Sequence, residues 1–158
     1  MLSIGSKVPA FSIVDSDKQP FNNETISGKR TLILFFPAAF TGVCTKELCQ
    51  VRDELKQYEQ LNAMVVAIST DMPFTLAKFK EEQGYNFTLA SDFNKTMCTA
   101  FEAKYEEFVL GLKGVARRAA FIVDTDGTIQ YAEVLESAGD LPNFEAIRQT
   151  LEKLSVTA

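Results

Sequence analysis

Short runs of consecutive apolar residues alternate along this chain with longer segments that are apolar on one side only. Continuous apolar runs bounded by polar residues are typical of strands buried on both faces, and apolar residues at every third or fourth position indicate helices. The predicted strands are Thr31–Phe36, Ala63–Ser69, Phe87–Ala90, Ala119–Val123 and Thr128–Leu135, and the predicted helices are about Cys44–Leu61, Pro73–Gln83, Asn94–Tyr105 and Asn143–Leu154.

The order of these elements predicts an α/β fold. Strands that alternate with helices favour a largely parallel sheet flanked by helices. Asp126-Gly127 is a hairpin signal between the last two strands, so the sheet should be mixed. Ala10–Val14 and the turn near Pro20 could form another hairpin at the front. The 158 residues contain no repeat and no linker, which predicts a single domain over residues 1–158.

Charge and hydropathy exclude several classes of function. The net charge of -5 argues against a nucleic-acid partner, because binding a phosphate backbone requires a basic surface. No stretch reaches the ~18 apolar residues of a membrane span. The first residues, MLSIGSKVPAF, lack the basic segment and apolar run of a secretory signal. We therefore expect a cytoplasmic protein with no membrane partner.

The counts of cysteine and histidine narrow the chemistry. The chain has three cysteines, an odd number that does not favour a framework of structural disulfides. It has no histidine, which excludes Ser-His-Asp hydrolysis, Cys-His proteolysis and histidine-ligated zinc. A nucleophilic cysteine here would need a helix N-terminus and a nearby arginine or lysine to stabilise its thiolate.

Cys44 lies where a buried strand has ended and a helix begins. Unpaired N–H groups and the helix dipole at that point stabilise a thiolate, which is the form that attacks. The Thr41 hydroxyl can donate to the sulfur or to a substrate oxygen. Pro37 opens the connecting loop, has no N–H group and can shield the sulfur from water. Each residue alone is also compatible with ordinary packing; their combination is what points to chemistry.

The run Pro37-Ala-Ala-Phe40-Thr41-Gly-Val-Cys44 has the pattern Pro-x-x-x-Thr-x-x-Cys and resembles the active-site signature of the peroxiredoxins. Three further segments look like landmarks of that family: Gly5–Phe11, Leu89–Asp92 and Phe121–Gly127. Two segments, Phe40–Cys44 and Gly111–Phe121, look closest to its alkyl hydroperoxide reductase E branch. The resemblance implies a thioredoxin-like fold and a thiol-dependent hydroperoxide reductase that needs no metal or organic cofactor.

The resemblance also assigns roles to two charged residues. Arg118, three residues before Phe121, matches the family arginine that reaches the active-site sulfur. Side chains alternate on a strand, so its neighbour Arg117 should point the opposite way. Glu47, three residues after Cys44, matches a glutamate that holds the arginine in place. Otherwise Glu47 would only interact favourably with the helix dipole.

The other two cysteines leave the recycling step open. Cys49 follows Cys44 by five residues, the spacing of the resolving cysteine in the bacterioferritin-comigratory-protein branch. In an intact helix these Cα atoms are about 8–9 Å apart, whereas a disulfide needs less than ~7 Å, so the helix would have to unwind. By helical angle Cys49 lies on the polar side, where an inert surface thiol is the alternative. Cys98, beside Met97 and Phe101, favours core packing.

Two other classes of function compete with the peroxidase. A thioredoxin-type disulfide reductase needs Cys-x-x-Cys, which is absent. A redox sensor or binding module with a vestigial cysteine would not require Pro37, Thr41, Cys44 and Arg118 together. By resemblance, the expected partners are a hydroperoxide and a reductant, which could be thioredoxin, a glutaredoxin-like protein or a small thiol. We also expect a homodimer formed through loops near the active site.

Overall fold

A seven-stranded mixed sheet forms the centre of the computed structural model, which describes residues 2–157. In space the strands are ordered β2-β1-β5-β4-β3-β6-β7. The strands are β1 Ser12–Asp15, β2 Pro20–Asn22, β3 Arg30–Phe35, β4 Ala63–Ser69, β5 Thr88–Ser91, β6 Ala119–Val123 and β7 Ile129–Val134. The helices are α1 Asn23–Ile26, α2 Gly42–Gln60, α3 Pro73–Gln83, α4 Thr96–Ala100 and α5 Phe144–Thr157, and a short 3-10 turn spans Val109–Gly111.

The three central strands β3, β4 and β5 are parallel, and antiparallel strands complete the sheet on both sides. On one side β6 pairs antiparallel with β3, and β7 pairs antiparallel with β6. On the other side β1 joins β5 and β2 in the expected front hairpin. The α/β fold with a mixed sheet is therefore confirmed.

Two hydrophobic layers cover the sheet and explain its continuous apolar runs. Alternate residues of β3 divide between them: Leu32 and Leu34 face the layer of α2, α3 and α5, whereas Ile33 and Phe35 face the layer that contains α4. All four side chains are buried. A strand covered on both faces cannot show the polar alternation of a strand with one wet face.

Most predicted boundaries lie within one or two residues of the observed ones, but the predicted helix Asn94–Tyr105 is wrong. The structure keeps only Thr96–Ala100, and Glu102 has a φ of 55°, in the left-handed region that ends a helix. Beyond it the chain is extended: Lys104 bridges Ala116, and the Arg117 N–H donates to the Ala103 carbonyl. Backbone pairing between extended segments thus replaces the helix that the apolar spacing predicted after Ala100.

Within residues 2–157, none of the helices combines the length and the apolar character needed to cross a membrane.

Candidate active site

The loop after β3 places Cys44 in the first turn of α2. Thr41 is the N-cap, and no side chain caps the helix by hydrogen bonding. The first helical bond runs from the Thr45 N–H to the Thr41 carbonyl at 2.9 Å, so the N–H groups of the three preceding residues have no intrahelical acceptor. Cys44 is only 2% exposed. Its sulfur therefore lies at the positive end of a 19-residue helix and is largely shielded from water.

The pairing of β3 with β6 brings Arg118 to this sulfur. The strands are antiparallel, and Phe35 at the end of β3 faces Ala119 at the start of β6. The residue before β6 consequently lies beside the loop that follows β3. Arg118 Nη2 donates to Cys44 Sγ at 3.2 Å and to the Ala138 carbonyl at 3.0 Å. Arg118 is 1% exposed.

Glu47 completes a buried group of three with Cys44 and Arg118. It lies one turn after Cys44 in α2, and its Oε1 accepts from Arg118 Nη1 at 2.5 Å. Glu47 has no exposed surface, and its Oε2 has no hydrogen-bond partner among residues 2–157. Burial raises the pKa of Glu47 to about 7, although the charge and hydrogen bond of Arg118 oppose that rise.

The guanidinium of Arg118 holds its charge in this buried setting. Burial alone would lower the pKa of Arg118, but the negative charge of Glu47 and the Cys44 sulfur together outweigh it and raise the pKa. A guanidinium also offers several donors in a fixed plane, so one cation can address the sulfur and the carboxylate at once. The site thus has a permanent positive charge at hydrogen-bond distance from the sulfur.

Thr41 and Pro37 lie in the loop that leads into α2. The Thr41 hydroxyl donates to the Ala38 carbonyl at 2.7 Å. Its single proton is therefore directed at the loop and not at the Cys44 sulfur, and its oxygen can still accept a hydrogen bond. Pro37 is buried. Both residues shape the loop around Cys44.

Arg117 points away from the sulfur, as strand alternation predicts. Its Nε donates to the Leu135 carbonyl at 2.7 Å, and its guanidinium lies 5.5 Å from the centre of the Tyr105 ring. Arg118 shares its side of β6 with Ala120 and Ile122, which face the layer that contains α2. Arg117 and Arg118 are consequently divided between the two faces.

Asp71 supports the active-site loop and was missed by sequence reasoning. Its Oδ2 accepts from the Ala39 N–H at 2.8 Å and from the Ser69 hydroxyl at 2.6 Å. The Ser91 hydroxyl also donates to the Asp71 carbonyl at 2.5 Å. The available signal was the polar run Ser69-Thr70-Asp71 at the end of a buried strand, because neighbouring parallel strands end at the same edge of the sheet.

Cys49 is half-buried, which corrects the expectation that it lies on the polar side of its helix. It packs against the hydrophobic layer between the sheet and α2. Its Sγ is 3.6 Å from Gln83 Oε1 and 3.7 Å from the Tyr85 hydroxyl. The helical angle gave the wrong environment because the end of α3, which covers this part of α2, is distant in sequence. Cys49 and Cys44 lie in the same unbroken helix, and both are free thiols.

Cys98 lies in the other hydrophobic layer, among Met97, Phe101 and Phe121. It is fully buried. Burial raises the pKa of the Cys98 thiol to about 12, and Asp92 adds to that rise. The structure therefore agrees with core packing for this cysteine and keeps it apart from the Cys44 group.

Comparisons with known proteins place this chain in a family. Residues 4–132 match the AhpC/TSA family. Peroxiredoxin Bcp of Escherichia coli is 35% identical over 132 residues, which cover 82% of this chain and 84% of that protein. Alkyl hydroperoxide reductase E of Mycobacterium bovis is 35% identical over 137 residues, covering 85% of this chain and 86% of that protein.

Among solved structures, the crystal structure of peroxidoxin BcpB from Mycobacterium tuberculosis superposes with a TM-score of 0.85. The two sequences are 29% identical, and the match covers 98% of this chain and 99% of the other. This similarity over almost the whole length confirms the expected thioredoxin-like fold. The matches thus include relatives named for both branches that the sequence resembles, Bcp and alkyl hydroperoxide reductase E.

Proposed function

The chain belongs to the AhpC/TSA family and is a thiol-dependent peroxidase, and on this premise we propose that Cys44 is the residue that attacks the hydroperoxide. The observation that supports this assignment is the 3.2 Å hydrogen bond from Arg118 Nη2 to Cys44 Sγ inside a buried site. Cys98 is buried in the opposite layer, and the side chains that contact the Cys49 sulfur are the uncharged Gln83 and Tyr85.

The proposed reaction is an in-line displacement at oxygen. The Cys44 thiolate attacks the distal oxygen of the hydroperoxide, an S–O bond forms and the O–O bond breaks. The electron pair of the broken bond goes to the leaving oxygen, which takes a proton from solvent and departs as water or an alcohol. Cys44 is left as a sulfenic acid. A thiol reductant closes the cycle.

Fixed dipoles and charge stabilise the transition state in this proposal. Negative charge moves from the sulfur to the leaving oxygen, within reach of the Arg118 guanidinium and the unpaired N–H groups at the start of α2. Groups of this kind stabilise developing charge without reorganising during the reaction. Thr41 and Pro37 contribute by shaping the loop that admits the peroxide.

Glu47 acts through Arg118 in this proposal. The ion pair fixes one end of the guanidinium, and the Ala138 carbonyl fixes another edge. Nη2, which donates to the Ala138 carbonyl, is thereby also directed at the sulfur. The raised pKa of Glu47 shows that burying this carboxyl is costly, and a purely structural helix would gain more from an apolar residue at that position.

The test is oxidation of the reduced protein by one equivalent of hydrogen peroxide, with intact mass and peptide mapping to identify the product. Wild type, Cys44→Ser and Cys49→Ser are compared, and an organic hydroperoxide is used in parallel. We expect rapid oxidation that is lost only in Cys44→Ser. Wild-type oxidation no faster than that of free cysteine with either peroxide would contradict the assignment and favour a binding module.

We further propose that Cys49 resolves the oxidised Cys44. Its spacing from Cys44 supports this role, and so does its position in the same helix with a free thiol. Because the two Cα atoms of an intact helix are about 8–9 Å apart at this spacing, the first turns of α2 must open before the sulfurs can bond. In the oxidation experiment a Cys44–Cys49 disulfide is the expected end product, whereas a persistent sulfenic acid would assign recycling to an external thiol.

A homodimer is the proposed assembly. The exposed side chains of Met72 and Phe93 line one surface pocket, and Met72 follows Asp71, whose carboxylate binds the active-site loop. Phe40 in that loop is also exposed. Clustered exposed apolar side chains of this kind mark interaction surfaces. Sedimentation should show a dimer for wild type and a monomer for Phe93→Glu. The matched control is Val156→Glu, an exposed residue of α5, which should remain dimeric; a monomeric wild type would contradict the proposal.

A further inference from the structure

Tyr85 contacts the turn of α2 that contains Cys49. Its hydroxyl donates to the Thr45 carbonyl at 3.5 Å and lies 3.7 Å from Cys49 Sγ. Tyr85 is 4% exposed. Burial raises the pKa of its hydroxyl, so the group keeps its proton and stays a donor. No step of the peroxide reaction uses this contact.

The Thr45 carbonyl is also the acceptor for the N–H of Cys49 in the regular bonding pattern of an α-helix. This helical bond and the contact from Tyr85 therefore meet at one oxygen, within the segment that separates the two cysteines. Any unwinding that carries Cys49 toward Cys44 must open this turn. It must then also separate the Tyr85 hydroxyl from both Thr45 and Cys49.

Tyr85 is itself held firmly against α2. Its ring packs on Phe79 and Phe87, with centroid distances of 5.1 and 5.4 Å. Its N–H donates to the Lys80 carbonyl at the end of α3. The Phe79 ring continues the contact to Phe40, 4.9 Å away in the active-site loop. The hydroxyl thus belongs to a group of packed aromatic rings that lies against α2.

We propose that Tyr85 is a positioning residue that holds the Thr45–Cys49 turn closed and thereby sets the lifetime of the oxidised Cys44. This inference rests on the proposed function. The step it controls is attack of the Cys49 sulfur on the Cys44 sulfenic acid: an S–S bond forms, the S–O bond breaks and water leaves with the thiol proton. While the turn is closed, the sulfenic acid remains available to an external thiol or to a second peroxide.

The test compares Tyr85→Phe with Tyr58→Phe, a matched control. Tyr58 is a fully buried tyrosine of α2 and lies in the same hydrophobic layer as Tyr85. Its hydroxyl has no hydrogen-bond partner in residues 2–157. Each variant loses only a hydroxyl. After rapid mixing with hydrogen peroxide, oxidation of Cys44 and formation of the Cys44–Cys49 disulfide are followed separately by quenching and mass analysis.

In Tyr85→Phe we expect Cys44 oxidation at the wild-type rate and disulfide formation about three- to tenfold faster, the range for loss of modest hydrogen bonds. Tyr58→Phe should match wild type in both steps. Amide exchange in the reduced protein gives a second measurement, independent of cysteine chemistry. The Cys49 amide should exchange faster in Tyr85→Phe by a similar factor, and the amides of the central strands should not.

The outcomes separate this inference from the function on which it rests. If Cys44 of the wild type is not oxidised rapidly, the proposed function is wrong and the inference fails with it. If Cys44 is oxidised but neither wild type nor Tyr85→Phe forms the disulfide, Cys49 is not the resolving thiol and Tyr85 has no such role. If the disulfide forms at equal rates in wild type and Tyr85→Phe, only the inference about Tyr85 is overturned.

Discussion

Replacing Arg118 by Met should make the free energy of unfolding decrease with rising pH above about pH 7, where that of the wild type no longer depends on Glu47. In the wild type, burial raises the pKa of Glu47 from 4.5 to about 7. A carboxyl with a raised folded pKa keeps its proton longer in the folded state than in the unfolded chain. Its stabilising contribution is therefore complete below pH 4.5, declines as the pH rises and is gone above about pH 7.

Without Arg118, an ionised Glu47 has no counter-charge at 2.5 Å, and its folded pKa should rise further. The decline in stability then continues above pH 7 by up to about 1.4 kcal/mol per pH unit. At a pH about two units above the Glu47 pKa of the wild type, this titration should make the variant roughly 3 kcal/mol less stable than the wild type. Removal of one member of a buried ion pair has a cost of this size.

The assay is urea unfolding of wild type, Arg118→Met, Glu47→Gln and the double variant over a series of pH values. Adding Glu47→Gln to Arg118→Met should abolish the extra pH dependence, because no carboxyl is left to titrate. Parallel stability curves for wild type and Arg118→Met would refute the pairing.

Oxidation of Cys44 by peroxide should slow by about tenfold to a hundredfold in Arg118→Met and in the double variant, the cost of a charge-assisted hydrogen bond. Recovery of the rate in the double variant would refute a role for Arg118 at the sulfur.

Three further predictions concern the surroundings of the site. Thr41→Val should slow Cys44 oxidation about tenfold in rapid-mixing kinetics, because the loop loses its bond to the Ala38 carbonyl; Thr41→Ser should retain the rate, and equal rates for Val and wild type would contradict this. Cys98 should react with an alkylating reagent only after unfolding, since burial raises its pKa to about 12; rapid labelling of the native protein would be the opposite result. Asp71→Ala should cost about 1–3 kcal/mol in urea unfolding by leaving the Ala39 N–H without its acceptor, and an unchanged midpoint would argue against that support.

The elements that the sequence predicts best are those whose pattern has one physical cause. The central strands Ala63–Ser69 and Ala119–Val123 have their predicted bounds because short continuous apolar runs are typical of strands covered on both faces. Helix α2 was predicted from buried positions one turn apart, and these positions do face the sheet. Local pattern and tertiary packing agree in all three cases.

Prediction failed where a long-range contact decides the outcome. The apolar spacing of Met97, Cys98 and Phe101 resembles a helix that should continue, but the next residues pair with the strand that leads to Arg117. The surroundings of Cys49 depend on Gln83 and Tyr85, more than thirty residues away. A helical wheel describes only one element, so it cannot show which neighbour covers it.

For the site itself, the resemblance supplied the residues but not their geometry. The sequence motif places Thr41 and Cys44 in one short segment, and the alternation of a strand separates Arg118 from Arg117. The Ala39 N–H that Asp71 binds and the Ala138 carbonyl that Arg118 binds are backbone groups, and no residue type marks them in the sequence.

The group formed by Cys44, Arg118 and Glu47 has a charge balance that changes during the proposed cycle. Above pH 7, with the sulfur as thiolate, one cation is buried with two anions, so the group carries one excess negative charge. With Cys44 as a protonated sulfenic acid, the group is neutral. A neutral ion pair is less costly to bury than an uncompensated charge. The interior is thus electrostatically better matched to the oxidised enzyme, and the thiol that regenerates Cys44 must restore the buried charge.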